Sequence, residues 1–269
     1  MDRLDAPAKP VELLVALTRC PVIDRCLNGA SHHCSAIVAS QHAETAETFQ
    51  VPEPWSGHIA IAPILFISSN PSIDYQEAYP VASWQDAERA EFFESRFDRK
   101  SEPWVDSRMR PRLLPMNPPI WRMKGTRFWR AARARAGEML RRPAIPGRDF
   151  AMTEVVQCKS VDEIGVVAAQ DECARRWLRP VIQASGCRVV ALFGSHARAA
   201  FRDLYGVIEG TPLSGPLRLE GRDRLVLQLP HPTAFKRRRN CAPLTRTELS
   251  SVNDFLLGDA AVKGAGIAR

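Results

Sequence analysis

Long hydrophobic runs are missing from this chain. No uninterrupted apolar stretch approaches the roughly eighteen residues that a membrane-spanning helix needs. The opening residues, MDRLDAPAKP, set an acid on either side of Arg3 with no apolar core behind them, so no secretory leader is expected. Internal repeats and low-complexity tracts are absent, which argues against a solenoid. Neither GxGxxG nor GxxxxGK[ST] occurs, and no nucleotide cofactor is expected. Acid is in deficit, with 30 Asp and Glu against 37 Lys and Arg, a net charge of +7 and a pI near 9.3.

The basic excess is clustered. Arg108, Arg110, Arg112, Arg122, Lys124, Arg127 and Arg130 crowd one proline-rich stretch, and Lys236, Arg237, Arg238 and Arg239 form an unbroken run. Such patches suit polyanion contacts, although a solvated basic surface has the same composition. The seven cysteines are unevenly placed: Cys20, Cys26 and Cys34 lie close together, Cys158 and Cys173 form a second group, and Cys187 and Cys241 stand alone. Without a leader, grouped cysteines point to a reducing cytoplasm and to metal or an iron–sulfur cluster. Plain unligated thiols are the alternative.

Apolar residues at helical spacing over 11–19 predict a first helix that Pro21 stops. The stretch from Cys20 to His58 reads as loop. Ile64–Ile67 is a continuous apolar run closed by Ser68-Ser69-Asn70-Pro71-Ser72, the pattern of a buried parallel strand delivering a loop. Helices are predicted over 84–98 and over 126–141, the second with Thr126 as cap. Strands are predicted at 151–156, 188–193 and 224–229. One long helix, or two meeting near Pro180, spans 167–185; another follows His196 and ends at Gly206, and the last covers 247–258. Alternating strands and helices predict an α/β fold, a three-layer α/β/α sandwich with a four-stranded, mainly parallel central sheet. All 269 residues are read as one domain with its core at about 60–255, preceded by an N-terminal helix and a cysteine-containing loop over 1–59. The chemically interesting residues follow the apolar runs, at the carboxyl ends of strands, where open α/β sheets bind ligands.

Three strand-end loops stand out: SSNPS at 68–72, VVQCKS at 155–160 and LPHPT at 229–233. With RVVALFGSHA between the last two, their order and spacing resemble the uracil-DNA glycosylase superfamily over about residues 60–255. EVVQCKS followed by Cys173 resembles its iron–sulfur branch. The resemblance implies a monofunctional DNA glycosylase that hydrolyses the N-glycosidic bond of uracil and leaves an abasic site. It implies Asn70 as the amide that positions a water near C1′, and His231 as the donor to the base carbonyl where charge develops. Ser68, Ser69, Pro71, Tyr79, Glu154, Pro232 and Thr233 would contact the substrate, with Tyr79 stacking on the flipped base; Tyr75 and Trp84 are rivals for that stack. Phe235 would serve as wedge and Lys236, Arg237, Arg238 and Arg239 as phosphate contacts. Cys20, Cys26, Cys158 and Cys173 would ligate a structural [4Fe-4S] cluster, with Cys34 spare.

The chain departs from the family pattern in three places. Ser68 stands where relatives have glycine, Cys20 and Cys26 are spaced more widely than a CxxC, and Glu154 stands where many relatives carry a base-reading asparagine. A carboxylate there accepts from uracil N3–H but cannot donate to O4. No lysine lies in either motif, so no lyase step is expected. The basic run ends in Asn240, so covalent trapping of the sugar is not expected. The expected partner is DNA containing uracil or abasic sites, the expected state a monomer, and the expected place the cytoplasm, on the nucleoid. Two other classes remain open: a binder of flipped bases or abasic sites that has lost turnover, and a small-molecule α/β enzyme.

Overall fold

A computed structural model describes residues 9–43, 45, 47–74, 77–98, 104–106, 109–112, 126–206, 211–232, 241 and 243–264, with side chains to 258. Thr233, Phe235, Lys236, Arg237, Arg238, Arg239 and Tyr75 lie outside the described residues, as do Arg108, Arg122 and Lys124 of the proline-rich stretch.

Five strands form one sheet: β1 (Ile64–Ser68), β2 (Phe150–Glu154), β3 (Val189–Phe193), β4 (Leu213–Leu219) and β5 (Arg222–Leu229), in the order β2-β1-β3-β5-β4. The first four in that order are parallel, and β4 runs antiparallel beside β5. The expected count of four strands is therefore corrected to five. The strand that escaped the reading is β4, LSGPLRL. Most of it is partly or fully exposed and it carries Gly215 and Pro216, so it lacks the apolar run of a central strand and can sit only at an edge. By contrast every residue of β1, β2 and β3 is buried.

Alternate residues of each strand serve different cores. Leu65, Ile67, Val190, Leu192 and Val226 meet one helical layer, from α1 (Pro10–Thr18), α3 (Ser35–Ala39), α4 (Asp86–Glu94) and α8 (Gly194–Tyr205). Ile64, Phe66, Val189, Phe193 and Leu227 meet the other, from α5 (Arg127–Leu140) and α9 (Arg246–Gly264). Phe66 stacks on Phe193 at 4.7 Å and takes the edge of Phe150 at 5.5 Å. Truncating such a ring to alanine costs about 3–5 kcal/mol.

One local reading changes and another is resolved. Pro21 ends α1 but also opens α2 (Pro21–Leu27), because its fixed φ and missing N–H suit a first helical position. The region expected to be loop thus holds α2 and α3, both too short to show helical periodicity. The long helix is continuous across Pro180: α6 (Val166–Cys173) passes through a π-helical turn (Ala174–Leu178) into α7 (Arg179–Ala184). The widened turn lies just where the proline removes an N–H from the α-helical ladder. The end of α7 is then tied to β5 by Arg224, fully buried, whose guanidinium donates to the carbonyls of Cys187, Ile182 and Ser185 at 2.9–3.1 Å.

Candidate active site

The carboxyl ends of β1, β2 and β5 open into one cavity of about 460 Å³, within the range of small-ligand sites. Its wall includes Ser68, Ser69, Asn70 and Pro71 after β1, Glu154 and Lys159 at and beyond the end of β2, and His231 after β5. The β1 and β2 loops are clamped together beyond the sheet. Val155 and Val156 donate to the carbonyls of Ser68 and Ser69, both at 2.9 Å, and Ser160 donates to that of Pro71 at 3.1 Å. Asn70, half-buried, donates from Nδ2 to the carbonyl of Pro71 at 3.0 Å. That bond fixes the amide plane, so Oδ1 is the acceptor the amide has for a water.

His231 packs beside Phe128, ring centroids 5.5 Å apart, and against Gly194, the first residue after β3. Burial, with Arg135 and His196 nearby, lowers the His231 pKa below its usual value despite the pull of Glu163. The ring is therefore a neutral imidazole at neutral pH, still able to donate one N–H. Pro232 follows it among the buried residues.

Beneath the cavity lies a charge network that sequence reading missed. Arg96, 2% exposed, reaches Glu53 at 3.0 Å and also pairs with Glu77; Lys159 reaches Glu77 at 2.9 Å. Burial pushes the Glu77 carboxyl up, but Arg96 and Lys159 together outweigh it and hold the group below the usual carboxylate range. The four side chains come from four separate segments, each an ordinary charged residue in its own stretch. Only the fold brings them together.

Tyr79 belongs to this layer and not to the cavity wall. Its ring is 4% exposed, packs edge-on against Phe92 and Phe93, and carries the Lys159 ammonium 3.6 Å from its centroid. Its hydroxyl donates to Glu53 at 3.3 Å. A ring so enclosed offers no face to a base. Trp84 packs instead against Phe92 and Trp104. The aromatic residues that do line the cavity are Phe128 and Trp129, in the first turn of α5. The signal for them was an aromatic pair opening a helix directly after the proline-rich stretch.

Glu154 closes the cavity wall at the end of β2, in register with Ser68. The Ser68 hydroxyl donates to Oε2. Burial, reinforced by Glu53 and only partly offset by the Ser68 hydrogen bonds, pushes the Glu154 carboxyl up to about 8.

A second, mainly apolar cavity lies on the helical side of the β2 loop. Cys20, Cys34, Cys158 and Cys173 line it, with Val22, Ile37, Val38 and Trp177. Cys26 stands beside it, its sulfur accepting from Ser35 Oγ at 3.7 Å. Burial and mutual proximity raise the thiol pKa values of Cys20, Cys34, Cys158 and Cys173, that of Cys34 to about 11 and that of Cys173 to about 12. Among the described residues no three His, Cys, Asp or Glu side chains stand close enough for a single metal ion. A cluster is a different case, because each of its corner irons takes one thiolate. Four thiols, the donor number such a cluster would need, line one apolar space of about 20 Å³. Cys187 and Cys241 are buried elsewhere, against Ser185 and Glu138.

Parallel strands delivering an Asn-Pro loop and a His-Pro loop to one cavity define an α/β protein with a candidate site at the carboxyl edge of the sheet. The family profile of the uracil DNA glycosylase superfamily matches residues 56–250, and the chain belongs to that superfamily. No curated protein matches it.

Proposed function

We propose that the protein is a monofunctional DNA glycosylase that removes uracil from DNA. One observation carries this reading. Asn70 and His231, far apart in sequence, line one cavity from strands separated only by β3, which sets their strand axes roughly 10 Å apart. That gap suits a flipped nucleotide entering between them.

In the reaction, a water held by Asn70 Oδ1 adds its oxygen to C1′. The C1′–N1 bond breaks, its electron pair leaves with the base, and one water proton passes to solvent. The departing anion spreads its charge onto the carbonyl oxygen next to N1, where neutral His231 donates a hydrogen bond. A donor aimed at developing charge in a water-poor site contributes on the order of 3 kcal/mol. Phe128, beside His231, is placed to stack on the base. Arg237, Arg238 and Arg239, with Lys236 and Phe235, supply phosphate contacts and the wedge; the net charge of +7 supports a polyanionic partner.

The cysteine cavity holds a structural [4Fe-4S] cluster in this reading, with Cys20, Cys158 and Cys173 as ligands. The cavity lining supports Cys34 as the fourth in place of Cys26. When bound, the cluster would pin α2 and α3 to α6 and to the loop after β2.

Incubation with a uracil-containing oligonucleotide, then hot alkali, tests the function. Strand scission only after alkali is expected. A retarded but uncleaved oligonucleotide would identify a binding module, and no retardation at low salt would favour a small-molecule enzyme.

A further inference from the structure

Glu154 ends β2 on the wall of the cavity, and as a carboxylate it could accept from uracil N3–H but not donate to O4. Its side chain is 6% exposed and shares the cavity wall with Asn70 and His231. The charges around it are already matched. Arg96 and Lys159 are both committed to Glu53 and Glu77, two cations against two carboxylates. Among the described residues, no lysine or arginine pairs with Glu154, and its nearest charged influence is Glu53, of like sign. Burying an unpaired charge costs several kcal/mol, and a carboxyl avoids that cost by keeping its proton.

A carboxylic acid is a different reader from a carboxylate. It sets an O–H donor beside a C=O acceptor, the same pair that an amide offers. Ser68 Oγ is hydrogen-bonded to Oε2; with the hydroxyl as donor, Oε2 is the acceptor and the proton sits on Oε1. Uracil shows the complementary edge, an N3–H donor next to the O4 acceptor. Cytosine shows the reverse, an acceptor at N3 and a donor at N4.

We propose that Glu154 is the specificity-determining residue of this site, presenting a hydroxyl and a carbonyl oxygen side by side to the O4–N3 edge of a flipped uracil, with Ser68 fixing which oxygen is which. The inference rests on the glycosylase reading above and assigns its base selectivity. It also makes that selectivity pH-dependent. The acid form exists below its folded pKa of about 8 and is lost above it. The other charged or titratable groups on the cavity are Glu53, Asp74, Glu77, Arg96, Lys159, Asp162, Glu163 and His231. The histidine, with its lowered pKa, is already neutral where Glu154 titrates.

The test compares wild type, Glu154→Gln and Ser68→Ala on oligonucleotides carrying one uracil or one cytosine at the same position, from about pH 6 to about pH 9, below the ionisation of uracil N3–H itself. Both single-turnover excision and equilibrium binding are read. In wild type, excision of uracil and the binding preference for uracil over cytosine should fall about tenfold per pH unit above about 8. Glu154→Gln, whose amide keeps donor and acceptor at every pH, should lose this alkaline limb. Ser68→Ala should narrow the preference for uracil over cytosine by about tenfold at neutral pH. Identical pH profiles in wild type and Glu154→Gln would overturn the proposal, as would a wild-type preference flat across the range. If nothing is excised but the binding preference still falls above about 8 in wild type alone, Glu154 reads the base and the glycosylase reading is what fails.

Discussion

A Cβ placed on Gly194 would lie 3.4 Å from the Cβ of His231. The first residue after β3 thus forms the floor against which the histidine loop after β5 rests. Gly194 also has a φ of +82°, a conformation that side-chain-bearing residues adopt only at a cost. Gly194→Ala is expected to lower stability by about 1 kcal/mol or more, read as a shift in the urea midpoint. It should also slow excision by moving the imidazole. Unchanged excision in a folded variant would separate the glycine from the site.

Asn70 and His231 act on different atoms of one reaction coordinate, and neither role needs tight ground-state binding. Asn70→Ala and His231→Ala should each slow single-turnover excision by about a hundredfold while leaving oligonucleotide affinity nearly intact. Wild-type rates in both variants would remove the proposed site.

The ion network and Glu154 respond to pH with opposite signs. Glu77 has a folded pKa below its ordinary 4.5, so its contribution is present above that value and lost as pH falls through the folded pKa. Glu77→Gln should cost about 3 kcal/mol at neutral pH, because it leaves buried cations short of a partner, and should flatten the acid limb of stability. Glu154 is raised from 4.5 to about 8. Its contribution is full below about 4.5 and declines until pH passes about 8. Glu154→Gln should remove that decline. Urea titrations across pH check both.

For the cysteines, iron and sulfide content is the readout. Alanine at Cys20, Cys34, Cys158 or Cys173 should lose iron together with soluble yield, whereas Cys26, Cys187 and Cys241 should tolerate the change. Full iron after changing both Cys158 and Cys173 would exclude the cluster.

Alanine at Arg237, Arg238 and Arg239 should weaken DNA binding equally for all sequences and flatten its salt dependence, by about one unit of log–log slope per lost phosphate contact. An unchanged slope would assign the run to solvated surface.

The sheet was largely legible because β1, β3 and the second half of β5 are mainly apolar and followed by small or polar residues, and burial on both faces demands such runs. β4 was illegible because an edge strand half in solvent needs no pattern. The Asn-Pro and His-Pro loops could be placed at one sheet edge from strand order alone. Glu53, Arg96, Glu77 and Lys159 could not, since their meaning lies in contacts between distant segments. The same holds for Cys34, which reaches the cysteine cavity only because α3 forms. Tyr79 misled for the opposite reason: proximity in sequence to a strand-end loop does not say which side of that loop a ring will take.

The widened turn at Ala174–Leu178 holds one residue more than an α-helix would need for the same span. Deleting that residue would restore the α-helical pitch over the same span, so Cys173 would keep nearly the same angle to Val181 and Ile182 and stay beside Cys20, Cys34 and Cys158. The extra residue absorbs the N–H that Pro180 lacks without turning one end of the rod against the other.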